Sequence, residues 1–405
     1  MSTDTKNQSN QMHQKNNSSD YKMTEIGLIP RDWEVKSIRD FALVKTGNTP
    51  PTNDKTNYGD EFFFVSPADL GKGKYILETE KKLSEKGFSI SRQFPNQSIL
   101  FTCIGSTIGK SGIANKALTS NQQINAILPN ELYNSDFVFY VLNILSPIIK
   151  SSASEQAVPL INKSQFESFQ IPFPTKSEQT AIATALSDAD NYTSSLEKLI
   201  AKKRLLKQGA MQQLLRPKED WVVKKLGEVA DVLDNLRVPL NDNQRATMKG
   251  DIPYCGANGI VDYVNDFVID DDIILMAEDG GYFDEYKTRP IAYRMTGKCW
   301  VNNHAHILKA KSENDQGFLF YSLVHKNILD FINGGTRAKL NKGELVNIEV
   351  TIPKVKAEQT RIATILSDMD ADIAALEKQL AKARSIKQGM MQQLLTGKIR
   401  LNYDL

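Results

Sequence analysis

Cysteine is scarce: Cys103, Cys255 and Cys299 stand far apart along 405 residues. That spacing gives neither a disulfide framework nor a zinc-ligand pattern, and it suits a reducing cytoplasm. No apolar run reaches the roughly 18–20 residues that a membrane span needs. The polar N-terminus lacks the apolar stretch of a secretion signal. An excess of charge is missing too. Lys and Arg number 50 against 48 Asp and Glu, a net of +2, whereas a free-standing nucleic-acid binder usually carries a basic surplus because phosphate contacts dominate affinity. If such a chain holds DNA, it does so with local patches, or with partners that share the phosphate clamp. The composition is otherwise that of a soluble globular protein, and the length implies two or three domains.

Catalytic motifs are also absent. The fragment GSTIGKS (Gly105–Ser111) has three residues between its glycines, not the four of a phosphate loop, and Ile104 stands where the first glycine belongs. The fragment DIPY (Asp251–Tyr254) has Ile252 in place of the first proline of an amino-methyltransferase motif, and no glycine-rich methyl-donor loop accompanies it. Glu285-Tyr286-Lys287, with Asp270 or Asp279 upstream, is too common a pattern to mark a nuclease metal site. His304 and His306 share a face if they lie on a strand, but no third metal ligand is evident from the sequence. The acidic run Asp270, Asp271, Asp272, Glu278 and Asp279 reads as a solvated loop; one of these carboxylates could accept from a cytosine amino group.

What the sequence does contain is itself, twice. Residues 176–215 and 356–395 share 25 of 40 positions at an offset of 180, including the ordered words EQT, LSD, LEK, KQG and MQQLL. Fainter matches extend upstream: Ile171-Pro172 against Ile352-Pro353, FVFYVL (Phe137–Leu142) against FLFYSL (Phe318–Leu323), and Asp32-Trp33 with Val35-Lys36 against Asp220-Trp221 with Val223-Lys224. The chain is therefore a globular unit followed by a long helix, repeated, with interiors that differ between the copies.

The repeated segments carry an alternating four-three apolar spacing, the signature of a coiled-coil seam. In the first copy the seam is Ile182, Leu186, Ala189, Leu196, Ile200, Ala210 and Leu214. In the second it is Ile362, Leu366, Met369, Ile373, Leu376, Leu380, Ala383, Met390 and Leu394, with Lys387 as a polar interruption. Forty helical residues span about 60 Å. Antiparallel pairing is the simplest closure within one chain and places the units at opposite ends of the rod. Glu178 and Glu358 suit the helix starts, Lys207 and Lys387 the ends; Gly209 and Gly389 weaken the last turns.

Inside the units, strand-like runs alternate with turn signals: Phe62–Val65, Ser98–Gly105, Ile124–Leu128, Ile273–Ala277 and Ala305–Ala310. Helical stretches are fewer, notably Asp136–Ile144 and Gly317–Phe331. Each unit reads as mixed α/β with an irregular sheet and long loops. Residues 1–20, rich in Asn, Gln and Ser, are expected to be disordered.

The opening YKMTEIGLIPRDWEVKSI (Tyr21–Ile38), the duplicated helices and the terminal LLTGKIRL (Leu394–Leu401) resemble the specificity subunits of type I restriction–modification enzymes. GSTIGKSGIA with SNQQINAIL, and IPYCGANGI with VNNHAHIL, are similar to phrases in that family's target-recognition domains. The resemblance covers nearly the whole chain from Tyr21. It implies an α+β fold with two mixed α/β target-recognition domains (21–175 and 216–355). These are separated by two long helices (176–215 and 356–395) that form an antiparallel coiled coil with pseudo-twofold symmetry, and a short tail (396–405) follows. Each domain would read one half of a bipartite double-stranded DNA site. The chain would be non-catalytic by itself, yet a required subunit of a type I site-specific deoxyribonuclease and adenine-specific DNA methyltransferase complex. Two methyltransferase subunits and restriction subunits would be the partners. S-adenosylmethionine, ATP and Mg2+ would sit on those partners, with no cofactor or metal in this chain, no membrane contact and a cytoplasmic location. The competing readings are a self-sufficient restriction–methylation enzyme, a specificity module of another restriction–modification system, and a coiled-coil scaffold with two protein-binding heads.

Polar and basic residues on the loops that differ between the units are the candidates for DNA contact. In the first unit these are Lys45, Thr46, Asn48, Lys72, Lys74, Ser106, Thr107, Lys110, Gln122 and Gln123. In the second they are Arg237, Arg245, Asn258, Tyr282, Asn303, His304, Arg337 and Lys339. If Arg237 contacts a guanine, its replacement by alanine costs roughly 1–3 kcal/mol at one position of one half-site. The spacer makes a geometric prediction: one heptad inserted into the first long helix adds about 10 Å, or roughly three base pairs at about 3.4 Å each. Mapping methylated sites should then show a longer gap between unchanged half-sites; an unchanged gap would count against a ruler.

Overall fold

The computed structural model describes residues 20–154, 157–334 and 338–401. The expectation for residues 1–20 lies almost wholly outside them. Among the described residues no helix is long and apolar enough to cross a membrane. The chain divides into two units, residues 1–195 with 380–405, and residues 196–379. The division falls within the two repeats, each of which forms one continuous helix: a central helix, Lys176–Leu214, and a C-terminal helix, Lys356–Leu394.

In the first unit a five-stranded sheet runs in the order Val44–Thr46, Ile124–Ile127, Ile99–Thr102, Ser111–Ala114, Tyr75–Ile76. A four-stranded sheet stands beside it, and a two-stranded ladder pairs Glu34–Ser37 with Gln170–Phe173. Every residue of Ile99–Thr102 and Ile124–Ile127 is buried, as expected of central strands covered on both faces. The second unit has one six-stranded sheet, ordered Ala230–Val232, Ala305–Ala310, Ile269–Ala277, Ala292–Val301, Lys249–Gly256, Gly259–Val264, and the matching ladder of Trp221–Lys225 with Glu349–Pro353. The parallel pairing of Tyr254 and Cys255 with Trp300 and Val301 brings Cys255 beside Cys299. These thiols, distant in sequence, are therefore neighbours, and both are buried and reduced.

A helix from each head packs on its long helices: Ser135–Ser151 in the first unit and Gln316–Leu323 in the second. The second is shorter than the sequence pattern suggested. Val324 and Lys326 donate backbone bonds to Phe320 and Leu323, closing a turn that returns Ile328 to the core. Asn134 and Asp315 cap these helices through bonds from the backbone N–H groups of Phe137 and Phe318.

The repeated words join head to helix. Gln179 is fully buried. It accepts the backbone N–H of Asn134 at 2.9 Å and donates to the Pro174 carbonyl at 2.9 Å. Gln359 does the same with Asp315 N–H and the Pro353 carbonyl. Thr180 and Thr360, one residue on, bond to the cap side chains Asn134 and Asp315. Further along, Tyr140 donates to Asp190 at 2.6 Å, and Asp190 pairs with Lys387 of the C-terminal helix. The second unit repeats this: Tyr321 donates to Asp370 at 2.7 Å, and Asp370 pairs with Lys207 of the central helix. Each lysine also lies over its tyrosine ring.

Within each unit the two long helices run antiparallel. In the second unit, Lys203 and Lys207 reach Asp372 and Asp370, so the partner number falls as the residue number rises. Ile182 and Leu186 with Leu394 enter the first unit's core, and Ile362 and Leu366 enter the second's, with Ala210, Met211 and Leu214 packed against it. The seam also includes Thr193, buried and bonded to the Asp190 carbonyl, and Lys203, two polar positions that apolar periodicity passes over. Lys387, the interruption in the sequence pattern, is the partner of Asp190 and not a flaw in the seam.

Tyr140→Phe and Tyr321→Phe should each remove a charge-assisted hydrogen bond and lower stability by about 1–3 kcal/mol, with little change in packing volume. Chemical denaturation checks this. Losses below about 0.5 kcal/mol at both positions would mean that the tyrosine–aspartate–lysine clasps do not hold head to helix.

Candidate nucleic-acid interface

In both sheets a polar residue is buried in the strand next to the edge. In the first unit it is Asn125, which accepts from Thr46 Oγ1 at 2.6 Å and donates to Cys103 Sγ. In the second it is His306, whose Nδ1 faces Asp234 Oδ2 at 2.7 Å and whose Nε2 faces the Leu340 carbonyl at 2.8 Å. Asn125 ties the end of the edge strand to its neighbour, and His306 ties the loop after its edge strand to the sheet. Just before these strands lie two matching turns, Asn121-Gln122-Gln123 and Asn302-Asn303-His304, in which the asparagine Oδ1 accepts the backbone N–H two residues on.

Around the first turn the structure gathers Thr46, Asn48, Gln122 and Gln123, and Gly105, which precedes Ser106 and Thr107, lies beside the Gln123 amide. Thr49 donates to Gln122, Asn48 accepts the Arg92 backbone N–H, and the Arg92 guanidinium caps the Thr46 carbonyl. Gly47 permits this close approach, since a Cβ there would lie 2.3 Å from the Asn121 carbonyl oxygen. Lys45 is exposed on the edge strand, and Lys150 holds the Ser106 carbonyl. Lys74 is not part of this group: it is mostly buried, bonded to Ser187 of the central helix and paired with Asp136. Lys72, beside Glu80, and the exposed Lys110, whose stem passes Gly71, belong to another loop.

Around the second turn lies a cleft of about 580 Å³ lined by Asn258, Asp279, Gly280, Asn302, Asn303 and His304, with Arg245 and Tyr254 in its wall. Asn258 donates to the Gly280 carbonyl. His304 Nδ1 lies 2.7 Å from Asp279 Oδ1. Tyr282 carries the Arg289 guanidinium on its ring face, 3.6 Å from the centroid. Arg245 is held by Asp242, Asp262 and the Leu240 carbonyl, and Lys339 reaches Glu278 at 3.0 Å. Arg337 lies outside the described residues.

Arg237 differs most from the sequence expectation. Its guanidinium pairs with Glu278 and Asp234, below the cleft, and its side chain is only 19% exposed. The carboxylates of Asp234 and Glu278 and the ring of His306 come within 4.8 Å of one another, a spacing a metal ion could bridge. The chemistry of the set argues against an ion: both His306 nitrogens already face oxygen acceptors, and Arg237 and Lys339 neutralise the acids. The cluster is an ionic floor under the cleft. Sequence reading missed Asn121, Asn302, Thr49 and Arg92. The pairing of SNQQ with VNNH was the signal for the first two; for the others there was none.

Burial would raise the Asp234 carboxyl, but the bond to His306, the Ile307 N–H and Arg237 outweigh it and hold it below the ordinary carboxylate range. Burial acts the same way on Glu278, and the bonds from Arg237 and Lys339 bring it below its ordinary value. Depressed carboxylates stabilise the fold above their unfolded pKa and lose that contribution as pH falls through the folded value. Acidification below about pH 4 should therefore weaken the second unit, and Asp234→Asn should flatten that dependence in denaturation curves followed at Trp221 and Trp300. Arg237→Ala should lower stability by about 2–4 kcal/mol, not relax a single base; unchanged melting would contradict the ion-pair role.

The chain matches the model of the type I restriction modification DNA specificity domain twice, over residues 30–207 and 218–383. It is 24% identical to the type I restriction enzyme MjaIX specificity subunit of Methanocaldococcus jannaschii, over 95% of this chain and 97% of that one. Over 40% of each chain it is 37% identical to the putative type I restriction enzyme specificity subunit S.HindORF215P of Haemophilus influenzae. Its fold is similar to that of the S subunit of a type I restriction–modification system from M. genitalium, with a TM-score of 0.63 at 19% identity, covering 92% of this chain and 97% of that one.

Proposed function

The chain belongs to the type I restriction modification DNA specificity family, and from that premise we propose that it is the specificity subunit of a type I restriction–modification complex, each unit reading one half of a bipartite double-stranded DNA site. The observation that carries this is the twofold match of the family to a chain whose two units repeat one frame: the same caps, the same clasps and the same asparagine turn, each surrounded by loops of different sequence. A shared frame with divergent loops is what two readers of different sequences require.

The finer roles follow from this reading. The target-recognition domains are residues 21–175 and 216–355. Two methyltransferase subunits and the restriction subunits bind this chain, bring S-adenosylmethionine, ATP and Mg2+, and perform adenine methylation and cleavage in the cytoplasm. The small net charge fits a division of labour in which the partners supply much of the phosphate contact, while loop side chains here meet base edges. The groups around Gln122–Gln123 and around Asn303–His304 are the base-reading sites, with Lys45, Lys72 and Lys110 as backbone contacts.

Retention on a randomised pool of duplex DNA, with and without the methyltransferase subunit, tests the proposal. Enrichment of one split sequence when the partner is present is the expected result, and methylome sequencing of a host carrying the genes should report the same sequence. Protein binding with no selected DNA would instead favour a scaffold with two protein-binding heads.

A further inference from the structure

The two asparagine turns end in side chains of opposite hydrogen-bonding character. In the first unit, Asn121 Oδ1 is committed to the Gln123 backbone N–H at 3.1 Å, which fixes Asn121 Nδ2 as a donor. That group donates to Gln123 Oε1 at 3.0 Å. This orients the Gln123 amide with Oε1 toward Asn121 and with Nε2, beside Gly105, presenting N–H donors. In the second unit, the corresponding residue is His304. Its backbone N–H bonds Asn302 Oδ1 at 2.8 Å, and its carbonyl accepts from Glu278, as the Gln123 carbonyl accepts from Cys103. Asp279 Oδ1 lies 2.7 Å from His304 Nδ1. A carboxylate only accepts, so Nδ1 carries the proton, and in the neutral imidazole form Nε2 presents a lone pair. The His304 side chain is 41% exposed at the cleft, while Asp279 behind it is 17% exposed.

We infer that Gln123 and His304 are specificity-determining residues at matching places in the two units, and that they read opposite polarities. Gln123 donates to a base-edge acceptor in the major groove, such as guanine O6 or a purine N7. His304 Nε2 accepts from a base-edge amino group, cytosine N4 or adenine N6. Asn121 and Asp279 are positioning residues that set these polarities without touching DNA. The inference rests on the reading of this chain as a DNA specificity subunit.

The test uses the full chain with its methyltransferase subunit, at pH 8, well above the ordinary imidazole pKa, on duplexes carrying the selected sequence. Replacing one amino-bearing base of the second unit's half-site with an analogue lacking only that amino group should weaken binding about tenfold. His304→Ala should lose the same factor on natural DNA and nothing further on the analogue. In the first unit, Gln123→Glu keeps the size and replaces donors with acceptors. It should move the preference at one position toward cytosine, while Gln123→Ala flattens that position; thermal unfolding of each variant should match the parent. If the analogue and His304→Ala losses multiply, or if Gln123→Glu weakens all duplexes alike, the assignment is overturned. Selective binding that neither variant alters removes this inference alone, whereas a parent chain without selectivity removes the functional reading beneath it.

Discussion

The fold depends on one recurring linkage, a tyrosine on a head helix that donates to an aspartate on one long helix, which in turn pairs with a lysine on the other. Tyr140–Asp190–Lys387 and Tyr321–Asp370–Lys207 are two copies of it. Three elements meet at each aspartate, so its loss would release a head from its helix and one long helix from the other. Partial burial strengthens these bonds relative to water and raises the cost of leaving any member unpaired. The buried glutamines add a second attachment about three turns nearer the start of each long helix. Gln179 and Gln359 satisfy the N-cap backbone of the head helix and the carbonyl of the strand-to-helix corner with one side chain each. The head is thereby fixed at two points of its long helix, and the residue at each point is identical in the two copies.

Much of this was legible in the sequence, because its cause is local or duplicated. The long helices follow from apolar spacing, and Ile124–Ile127, Ile273–Ala277 and Ala305–Ala310 follow from dense β-branched and aliphatic runs. The repeated words showed that something held EQT and KQG fixed, but not that Gln179 holds the Asn134 backbone or that Asp190 and Lys387 hold each other, since those contacts join segments up to about two hundred residues apart. Periodicity read Lys387 as an interruption and passed over Thr193 and Lys203, because it scores apolarity and is blind to a salt bridge within a seam.

The candidate site was legible by residue type and not by direction. Asn303, His304, Gln122 and Gln123 lie on the turns, as polar loop residues should. Arg237 and Lys74 are equally attractive by type, yet the fold turns both inward, one onto Glu278 and Asp234 and the other onto Asp136 and Ser187. An arginine near a carboxylate and an arginine near a phosphate look alike in sequence. Only the partner's position separates them, and Glu278 is 41 residues away from Arg237.

Two residues apart, at the start of the strand next to each edge, the protein separates a buried anchor from a turn side chain. Asn125 pins the end of the edge strand and His306 the loop behind it, while Gln123 and His304 sit at the turn just before them. Each turn runs directly into the strand that carries the anchor, so the outer residue is held close to the inner one. A side chain held in this way has little freedom left to lose on binding, and geometric rigidity of that kind favours discrimination over mere affinity. The same separation lets the outer position change identity between the units, glutamine in one and histidine in the other, with the anchor beneath still performing its task through different chemistry. Divergence in what is read is thus compatible with a frame repeated almost word for word.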